Sequence, residues 1–214
     1  MQGARAHRTR AVLLDALGTL VELEPPWTHL AASLGIAANR GVIDAFRAEM
    51  SYYRDHSHEA RDRASLADLR RRCAGVLSRE LGTEVAVEEL MASIRFRAFD
   101  DAAPALTALR ERRLRLVCVS NWDYALPEVL GRVGLAGTLD GVVTSASVGA
   151  RKPNPEIFAA ALEAAGCGAD EALHVGDSNE EDIAGARAAG IRALLIDRSG
   201  GGDISSLAEL RNHL

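Results

Sequence analysis

The hydrophobic positions of the chain form five short runs that have the length of buried β-strands. They are Ala11–Leu14, Leu114–Val119, Val142–Thr144, Ala172–Val175 and Ala193–Ile196. Continuous apolar runs of this length are typical of parallel strands that are covered on both faces. Between them, apolar residues recur at helical spacing, and glycine follows several of the helical segments. These segments are Pro104–Arg112, Leu126–Val133, Pro155–Ala165 and Glu180–Ala189. The pattern predicts an α/β fold with a doubly wound (Rossmann-like) parallel sheet.

Residues 25–99 follow a different pattern, because their apolar positions have helical spacing and no segment has a convincing strand pattern. The candidate helices are Thr28–Leu34, Val42–Arg54, Ser65–Leu81 and Val87–Phe99. We therefore predict a core domain formed by residues 1–24 and 100–214, and an all-helical domain formed by residues 25–99. The second is inserted between the first strand and the rest of the sheet, and is called the helical insertion below.

Composition and charge narrow the range of partners. The chain has 214 residues and a formal net charge of −5, and its arginines are interspersed with acidic residues, so nothing favours nucleic acid. No apolar run is long enough to span a membrane. Its three cysteines form no CxxC pair and fit reduced thiols. We therefore expect a cytoplasmic protein, either a monomer or a homodimer.

Polar residues follow the predicted strands at the positions where a ligand site would form. Asp15 follows the first strand, Ser120 the second and Asp177 the fourth, and Lys152 lies between the third strand and the next helix. Ligands of open parallel sheets bind beyond the carboxyl ends of the strands, so these residues are expected to meet. Carboxylates that meet repel each other unless a cation is present, and oxygen ligands suit Mg²⁺.

Lys152 is the only lysine among the 25 basic residues of the chain. Chance could explain one lysine among arginines. Alternatively, the position requires a compact ammonium group on a flexible stem, as anion-binding lysines do. The residues around it must decide between the two.

The order and spacing of these residues resembles the four motifs of the haloacid dehalogenase (HAD) superfamily of hydrolases. Asp15 with Gly18-Thr19-Leu20 resembles the first motif, and Ser120 the second. Lys152 resembles the third motif, and Asp177 with Asp182 resembles the fourth. The similarity extends over essentially the whole chain, and it includes a helical cap of the C1 type inserted after the first motif.

The resemblance implies a role for each matching residue. Asp15 would be the nucleophile of a covalent intermediate, and Thr19 would fix the loop around it. Lys152 would offset the negative charge of Asp15 and of a small anionic substrate. The implied substrate-binding residues are Ser120, Asn121, Trp122 and Lys152, although Trp122 could instead only pack against the next helix.

The resemblance also implies Mg²⁺ as cofactor. Asp15, Asp177 and the backbone carbonyl of Leu17 would be ligands. Asp182 would act either through a water molecule or by steadying Lys152. Alternatively, Asp177 and Asp182 are only the acidic residues of a helix N-terminus, where they are favoured by the helix dipole.

Leu17 departs from the pattern of the phosphatases in this superfamily, which carry there a second aspartate that serves as general acid and base. That group contributes ~10²–10⁴-fold in rate. We rank a Mg²⁺-dependent phosphatase-type hydrolase first. A 2-haloacid dehalogenase is second, since a departing halide needs no proton, and an inactive relative that binds a ligand or a protein is third. Asp177 favours the first over the second, because the dehalogenase motif lacks a carboxylate there.

Substrate choice is expected to depend on the helical insertion. The candidate side chains are His29, Arg47, Tyr52, Tyr53, Arg54, His56 and His58. Two further residues have simpler explanations. His174, inside an apolar run, is expected to be a hydrogen-bonded core histidine, and Cys118 is expected to be buried.

Overall fold

A computed structural model of the chain describes residues 9–214. Five parallel strands form one sheet in the order β5-β4-β1-β6-β7. The strands are β1 (Ala11–Leu14), β4 (Arg115–Ser120), β5 (Gly141–Thr144), β6 (Ala172–Gly176) and β7 (Arg192–Leu195). The five predicted strands and the doubly wound α/β class are confirmed. Residues 1–8 of the predicted core range lie outside the described residues.

Helices cover both faces of the sheet. They are α5 (Ala102–Glu111), α6 (Leu126–Arg132), α7 (Ser145–Val148), α8 (Pro155–Ala165), a π-helical segment at Asn179–Ala184, α9 (Gly185–Ala188) and a 3₁₀ helix at Leu207–Asn212. Successive residues of β1 point to opposite faces. Val12 and Leu14 pack with α5 and α6, whereas Leu13 packs with α8. This two-sided burial explains why the strands appear as continuous apolar runs.

The helical insertion has a hydrophobic core of its own. Its helices are α1 (Pro26–Leu34), α2 (Arg40–His56), α3 (Arg63–Leu81) and α4 (Val87–Ser93). The large side chains buried between them are Leu30, Phe46, Leu69, Leu77 and Leu90. Ala125 of the core domain joins the same cluster, so the insertion packs directly on the loop that follows β4. No helix within residues 9–214 combines the length and the apolar character needed to cross a bilayer.

The predicted helix over Val87–Phe99 is wrong in its second half. It ends at Ser93, and Phe96–Ala98 forms a strand, β3, that pairs antiparallel with β2 (Val21–Leu23). The sequence Ile-Arg-Phe-Arg-Ala-Phe from residue 94 alternates apolar and basic side chains, which is a strand signal. The pairing joins the two connections of the insertion into one ribbon.

Arg198, in the loop after β7, links this ribbon to the loop that follows β1. Its guanidinium donates a hydrogen bond of 2.7 Å to the backbone carbonyl of Thr19 and pairs with Asp101 at 3.1 Å. It also lies 3.5 Å from the centroid of the Phe99 ring. Phe99 and Asp101 form the second connection of the insertion, so one side chain contacts both this connection and the loop next to Asp15.

We expect Arg198→Ala to lower the free energy of unfolding by about 1–3 kcal/mol, because several charge-assisted hydrogen bonds are lost at once. Urea denaturation measures this change. Hydrogen exchange of the amides of residues 97–101 should also become faster. Arg187→Ala, at an exposed arginine of α9, is the matched control. Equal stability of the two variants would contradict the assigned role.

Candidate active site

Three central strands bring the predicted site residues to one edge of the sheet. β4, β1 and β6 are adjacent, and each ends next to a polar residue of the site. Ser120 is the last residue of β4, Asp15 follows β1, and Asp177 follows β6. Ser120 Oγ donates a hydrogen bond of 2.8 Å to Asp15 Oδ1. Residues 105 positions apart in the chain are therefore in direct contact.

Lys152 lies between two of the carboxylates. Its Nζ is 2.6 Å from Asp15 Oδ1 and 2.5 Å from Asp182 Oδ1, and its side chain is 1% exposed. A solvated lysine is therefore excluded, and the only lysine of the chain is a buried cation between two acids. The two carboxylates outweigh burial and raise the pKa of Lys152 above its ordinary value, so it stays charged.

Asn121 holds the backbone of Lys152 in place. Its Oδ1 accepts a hydrogen bond of 2.7 Å from the Lys152 N–H, and its Nδ2 donates one of 3.0 Å to the Lys152 carbonyl. Asn121 also lines the cavity above the site, as its predicted substrate contact requires. Its amide is nevertheless engaged mainly in positioning Lys152.

Three carboxylates meet at the edge of the sheet. Asp15, Asp177 and Asp182 each direct one carboxylate oxygen to this place, and these three oxygens lie within 4.8 Å of one another. Gly18 permits this approach, since its φ is +82° and a Cβ there would collide with the Asp177 carboxylate. Glycine is therefore required at position 18 for two reasons, namely the positive φ and the lack of room for a side chain beside Asp177.

The three carboxylates titrate differently because their partners differ. Partial desolvation of its carboxylate, together with the charges of Asp15 and Asp182, raises the pKa of Asp177 to about 7, although the residue as a whole is exposed. Burial also raises the pKa of Asp15, against the opposing effect of Lys152. Although burial opposes it, the charges and hydrogen bonds of Lys152 and His174 hold the pKa of Asp182 below its usual range.

His174 supports Asp182 from inside the sheet. It is fully buried in β6, its Nε2 is 2.9 Å from Asp182 Oδ1, and its ring packs edge-on against Phe158. The backbone N–H of Ser178 donates 3.1 Å to the other oxygen, Asp182 Oδ2. The prediction of a hydrogen-bonded core histidine is confirmed. Both oxygens of Asp182 are thus occupied by protein donors.

The donor set fits a hard divalent cation. Three carboxylates and one ammonium leave two uncompensated negative charges, and the available ligand atoms are all oxygens. The charges of Asp15 and Asp182 add to desolvation in raising the pKa of Asp177, and a bound cation would oppose both effects. Mg²⁺ and similar ions prefer such oxygen sites. Asp182 is the least available of the three acids for such an ion, because both of its oxygens already have protein partners.

The remaining predicted residues lie around this centre. Leu17 is partly buried and lines the cavity beside Asp15. Thr19 is fully buried, and its hydroxyl forms no hydrogen bond within the described part of the chain, so the loop is held through its carbonyl instead. Trp122 both lines the cavity and packs on Phe96, with ring centroids 5.1 Å apart.

A cavity of about 460 Å³ lies between the sheet edge and the helical insertion. Of the candidates in the insertion, Tyr53 and Arg54 line it. The others do not, namely His29, Arg47, Tyr52, His56 and His58. Two buried acidic residues of the lining, Glu49 and Asp123, were not predicted from the sequence.

Tyr53 connects the insertion to the loop after β4. Its hydroxyl donates a hydrogen bond of 2.8 Å to Asp123 Oδ2, and Asp123 Oδ1 accepts one of 2.8 Å from the Ala125 N–H. Burial and the neighbouring carboxylate raise the pKa of Tyr53 well above its ordinary value, so the phenol keeps its proton. A partly buried hydrogen bond therefore connects the two parts of the molecule on this side of the cavity.

Comparison with known proteins agrees with this geometry. The family model of haloacid dehalogenase-like hydrolases matches residues 9–190. The chain is 32% identical over 211 aligned residues to haloacid dehalogenase-like hydrolase domain-containing protein 3 of Mus musculus, covering 89% of this chain and 84% of that protein.

Two similar proteins are phosphatases by name. Phosphoserine phosphatase of Thermus thermophilus is 38% identical over 106 residues, which cover 49% of this chain and 42% of that protein. The crystal structure of a HAD phosphatase from Thermococcus onnurineus superposes with a TM-score of 0.68 at 26% identity, covering 96% of this chain and 97% of that one. With its fold, its four converging motifs and these matches, the chain belongs to the haloacid dehalogenase-like hydrolase family.

Proposed function

We propose that this hydrolase is a Mg²⁺-dependent phosphatase that acts on a small phosphorylated metabolite, with Asp15 as the nucleophile. The observation that carries the proposal is Asp177, a third carboxylate beside Asp15 and Asp182. Without a divalent ion, this carboxylate would only add repulsion. The phosphatases named among the similar proteins support the same reaction class.

Asp15 is arranged to attack with one oxygen. Ser120 and Lys152 both donate to Oδ1, and among the described residues no hydrogen-bond donor contacts Oδ2. Oδ2 would attack phosphorus while the P–O bond to the alcohol breaks, which gives an aspartyl phosphate and an alkoxide that must take up a proton. Water then attacks phosphorus while the P–O bond to Asp15 breaks, which regenerates the carboxylate and releases inorganic phosphate and a proton that balances the one taken up by the alkoxide. Asn121 and Trp122 would border the substrate.

Lys152 would hold the charge balance through both steps. Its ammonium already contacts Asp15, and the substrate phosphate would bring further negative charge to the same place. A buried cation acts strongly there because little water screens it. This is the role that distinguishes the only lysine of the chain from its arginines.

Mg²⁺ would be held by Asp15, Asp177 and the carbonyl of Leu17. When bound, it would neutralise the carboxylates and contact the phosphate oxygens. Asp182, whose two oxygens are engaged by Lys152, His174 and Ser178, would act by steadying Lys152 rather than as a direct ligand. The helical insertion would serve as the cap over the substrate, and residues 25–99 would form its domain.

Assays with and without metal test this function. A panel of phosphate monoesters is expected to release phosphate with Mg²⁺ and not with EDTA, and Asp177→Asn should lose the response to Mg²⁺.

Leu17 supports the dehalogenase alternative, because halide departure needs no acid. Chloride release from a 2-chloroalkanoate in EDTA would establish that alternative, and no turnover in either assay would favour a binding protein. The cytoplasmic location and a monomeric or dimeric state stay predictions.

Leu17→Asp is expected to raise the rate of alkyl phosphate hydrolysis by about tenfold or more, because it supplies a proton donor for the alkoxide. The gain should be smaller for p-nitrophenyl phosphate, whose leaving group needs no proton. Leu17→Asn is the matched control, since it has similar size and polarity but cannot transfer a proton. Equal gains for both variants, or for both substrates, would contradict the explanation.

A further inference from the structure

A buried carboxyl group lies in the wall of the cavity on the side of the helical insertion. Glu49, in α2, is 3% exposed, and it lines the same cavity as Asp15. The lining from α2 and α3 also includes the apolar side chains Met50, Leu66 and Leu69. A carboxyl group in such a wall is costly to bury unless a donor compensates it.

The protein itself supplies little compensation. Within residues 9–214, the thiol of Cys73 is the only group directed at the Glu49 carboxyl, and a thiol is a weak donor. No arginine or histidine of the described chain forms an ion pair with it. Burial accordingly raises the pKa of Glu49 to about 7, and the thiol opposes this only in part.

Asp123, a buried acid that lines the same cavity from the loop after β4, has several partners within the protein. Asp123 accepts hydrogen bonds from the Tyr53 phenol and from the Ala125 N–H, and the charge of Arg70 acts on it as well. Both oxygens of the Asp123 carboxylate therefore accept hydrogen bonds from the protein itself. Glu49, by contrast, lacks a strong hydrogen-bond donor within the described residues. Because its carboxyl group lines the cavity, a ligand in the cavity could supply that donor.

We propose that Glu49 is a specificity-determining residue that binds a hydrogen-bond donor, preferably an ammonium group, on the organic part of the substrate. The inference rests on the proposed phosphatase function, in which the phosphate lies at Asp15 and Lys152. The substrate class is then a phosphate monoester of an amino alcohol. The carbon chain between its two charged ends would contact the apolar lining residues Met50, Leu66 and Leu69. An ammonium group is preferred over a hydroxyl because it also neutralises the carboxylate.

Binding of matched ligand pairs tests this inference independently of turnover. The probes are ω-aminoalkyl phosphates and the n-alkyl phosphates in which a methyl group replaces the ammonium, with two to six carbons between the charged ends. Calorimetry with Mg²⁺ uses the full chain carrying Asp15→Asn, which blocks hydrolysis. At the best length, the amino compound is expected to bind about tenfold more tightly or better than its alkyl partner.

Two variants of Glu49 make the test specific. Glu49→Gln should reduce this preference to about twofold or less while affinity for the alkyl compound is retained. Glu49→Asp should keep the preference and shift the best ligand toward one additional methylene, because the carboxyl retreats by one carbon. Asp44→Asn, at an exposed acid of the same helix, should leave both unchanged.

An amino preference that survives in Glu49→Gln, or that is absent at every length, would overturn the inference. Failure of the proposed function has a different signature. Chains with Asp15 intact would then hydrolyse no phosphate ester, although the amino preference in binding could still be present and dependent on Glu49.

Discussion

Asp15→Asn is expected to abolish turnover while the fold is retained. An amide oxygen cannot replace the carboxylate as the nucleophile, so the loss should be on the order of 10⁴-fold or more. The substitution keeps the size of the side chain, and Lys152 retains Asp182 as its partner. Burial of one negative charge is removed, so the free energy of unfolding should stay equal or rise. Phosphate release under saturating Mg²⁺ and urea denaturation measure the two quantities.

The matched control for this substitution is Asp68→Asn, at an acid of α3 whose side chain is 48% exposed. It makes the same chemical change far from the cluster and should leave the rate unchanged. Turnover by Asp15→Asn within about tenfold of the unmodified chain would remove Asp15 from the reaction. Lost activity together with lost cooperativity of unfolding would assign it a structural role instead.

The part of the site that could be predicted from the sequence follows from one topological rule. Polar residues at the carboxyl ends of adjacent parallel strands must meet. Asp15, Ser120 and Asp177 satisfy that rule, because β4, β1 and β6 lie side by side. Lys152 could be placed because it stands alone among arginines and lies in the loop before a helix. These signals lie in short segments of the sequence, so they can be read without knowing how the helices and strands pack.

The residues that were missed depend on packing between distant parts of the chain. Glu49 lies in a polar stretch of α2, and only the docking of α2 onto α3 and the core buries it. Arg198 is about 180 residues from the carbonyls that it contacts, and nothing in its flanking glycines indicates a partner. Long-range contacts of this kind leave no periodic signal in the sequence.

Asn121 and Thr19 show a third kind of outcome. Asn121 was expected to bind substrate and Thr19 to fix the loop around Asp15, and the hydrogen bonds of both residues are structural. The Asn121 amide holds the Lys152 backbone, and the Thr19 carbonyl receives Arg198. A motif identifies which residues surround a site. Their hydrogen-bond partners decide which of them are available to a substrate.

Lys152→Met is expected to lower the free energy of unfolding by about 3–5 kcal/mol in metal-free buffer at neutral pH. Methionine fills a similar volume, so the effect comes from charge. Asp15 and Asp182 lose the cation that lies within 2.6 Å of each of them, and Asp177 stands beside both. Urea denaturation in EDTA measures the loss. Lys152→Arg keeps the charge but not the compact head, so it should lose most activity with a smaller loss of stability.

The pH dependence of this difference follows from the pKa shifts. The pKa of Lys152 is raised in the folded chain, so its contribution is present below its unfolded value and is lost as the pH rises through the folded one. The pKa of Asp182 is lowered, so its contribution is present above its unfolded value and is lost as the pH falls. The difference between the two chains should therefore be largest near neutral pH, begin to shrink below about pH 4, the ordinary range of an aspartate pKa, and disappear as the pH falls through the lower pKa of the folded Asp182.

A second substitution separates charge repulsion from lost packing. Asp182→Asn in the Lys152→Met background removes one of the repelling carboxylates, so it should recover part of the lost stability, although Asp182→Asn alone is destabilising. The sign of the coupling in this double-mutant cycle is the decisive quantity. Additive losses would mean that Lys152 stabilises the fold by packing, and the charge-balancing role in catalysis would lose its physical basis. Addition of Mg²⁺ should recover further stability in Lys152→Met, because a cation at Asp15 and Asp177 relieves the same repulsion.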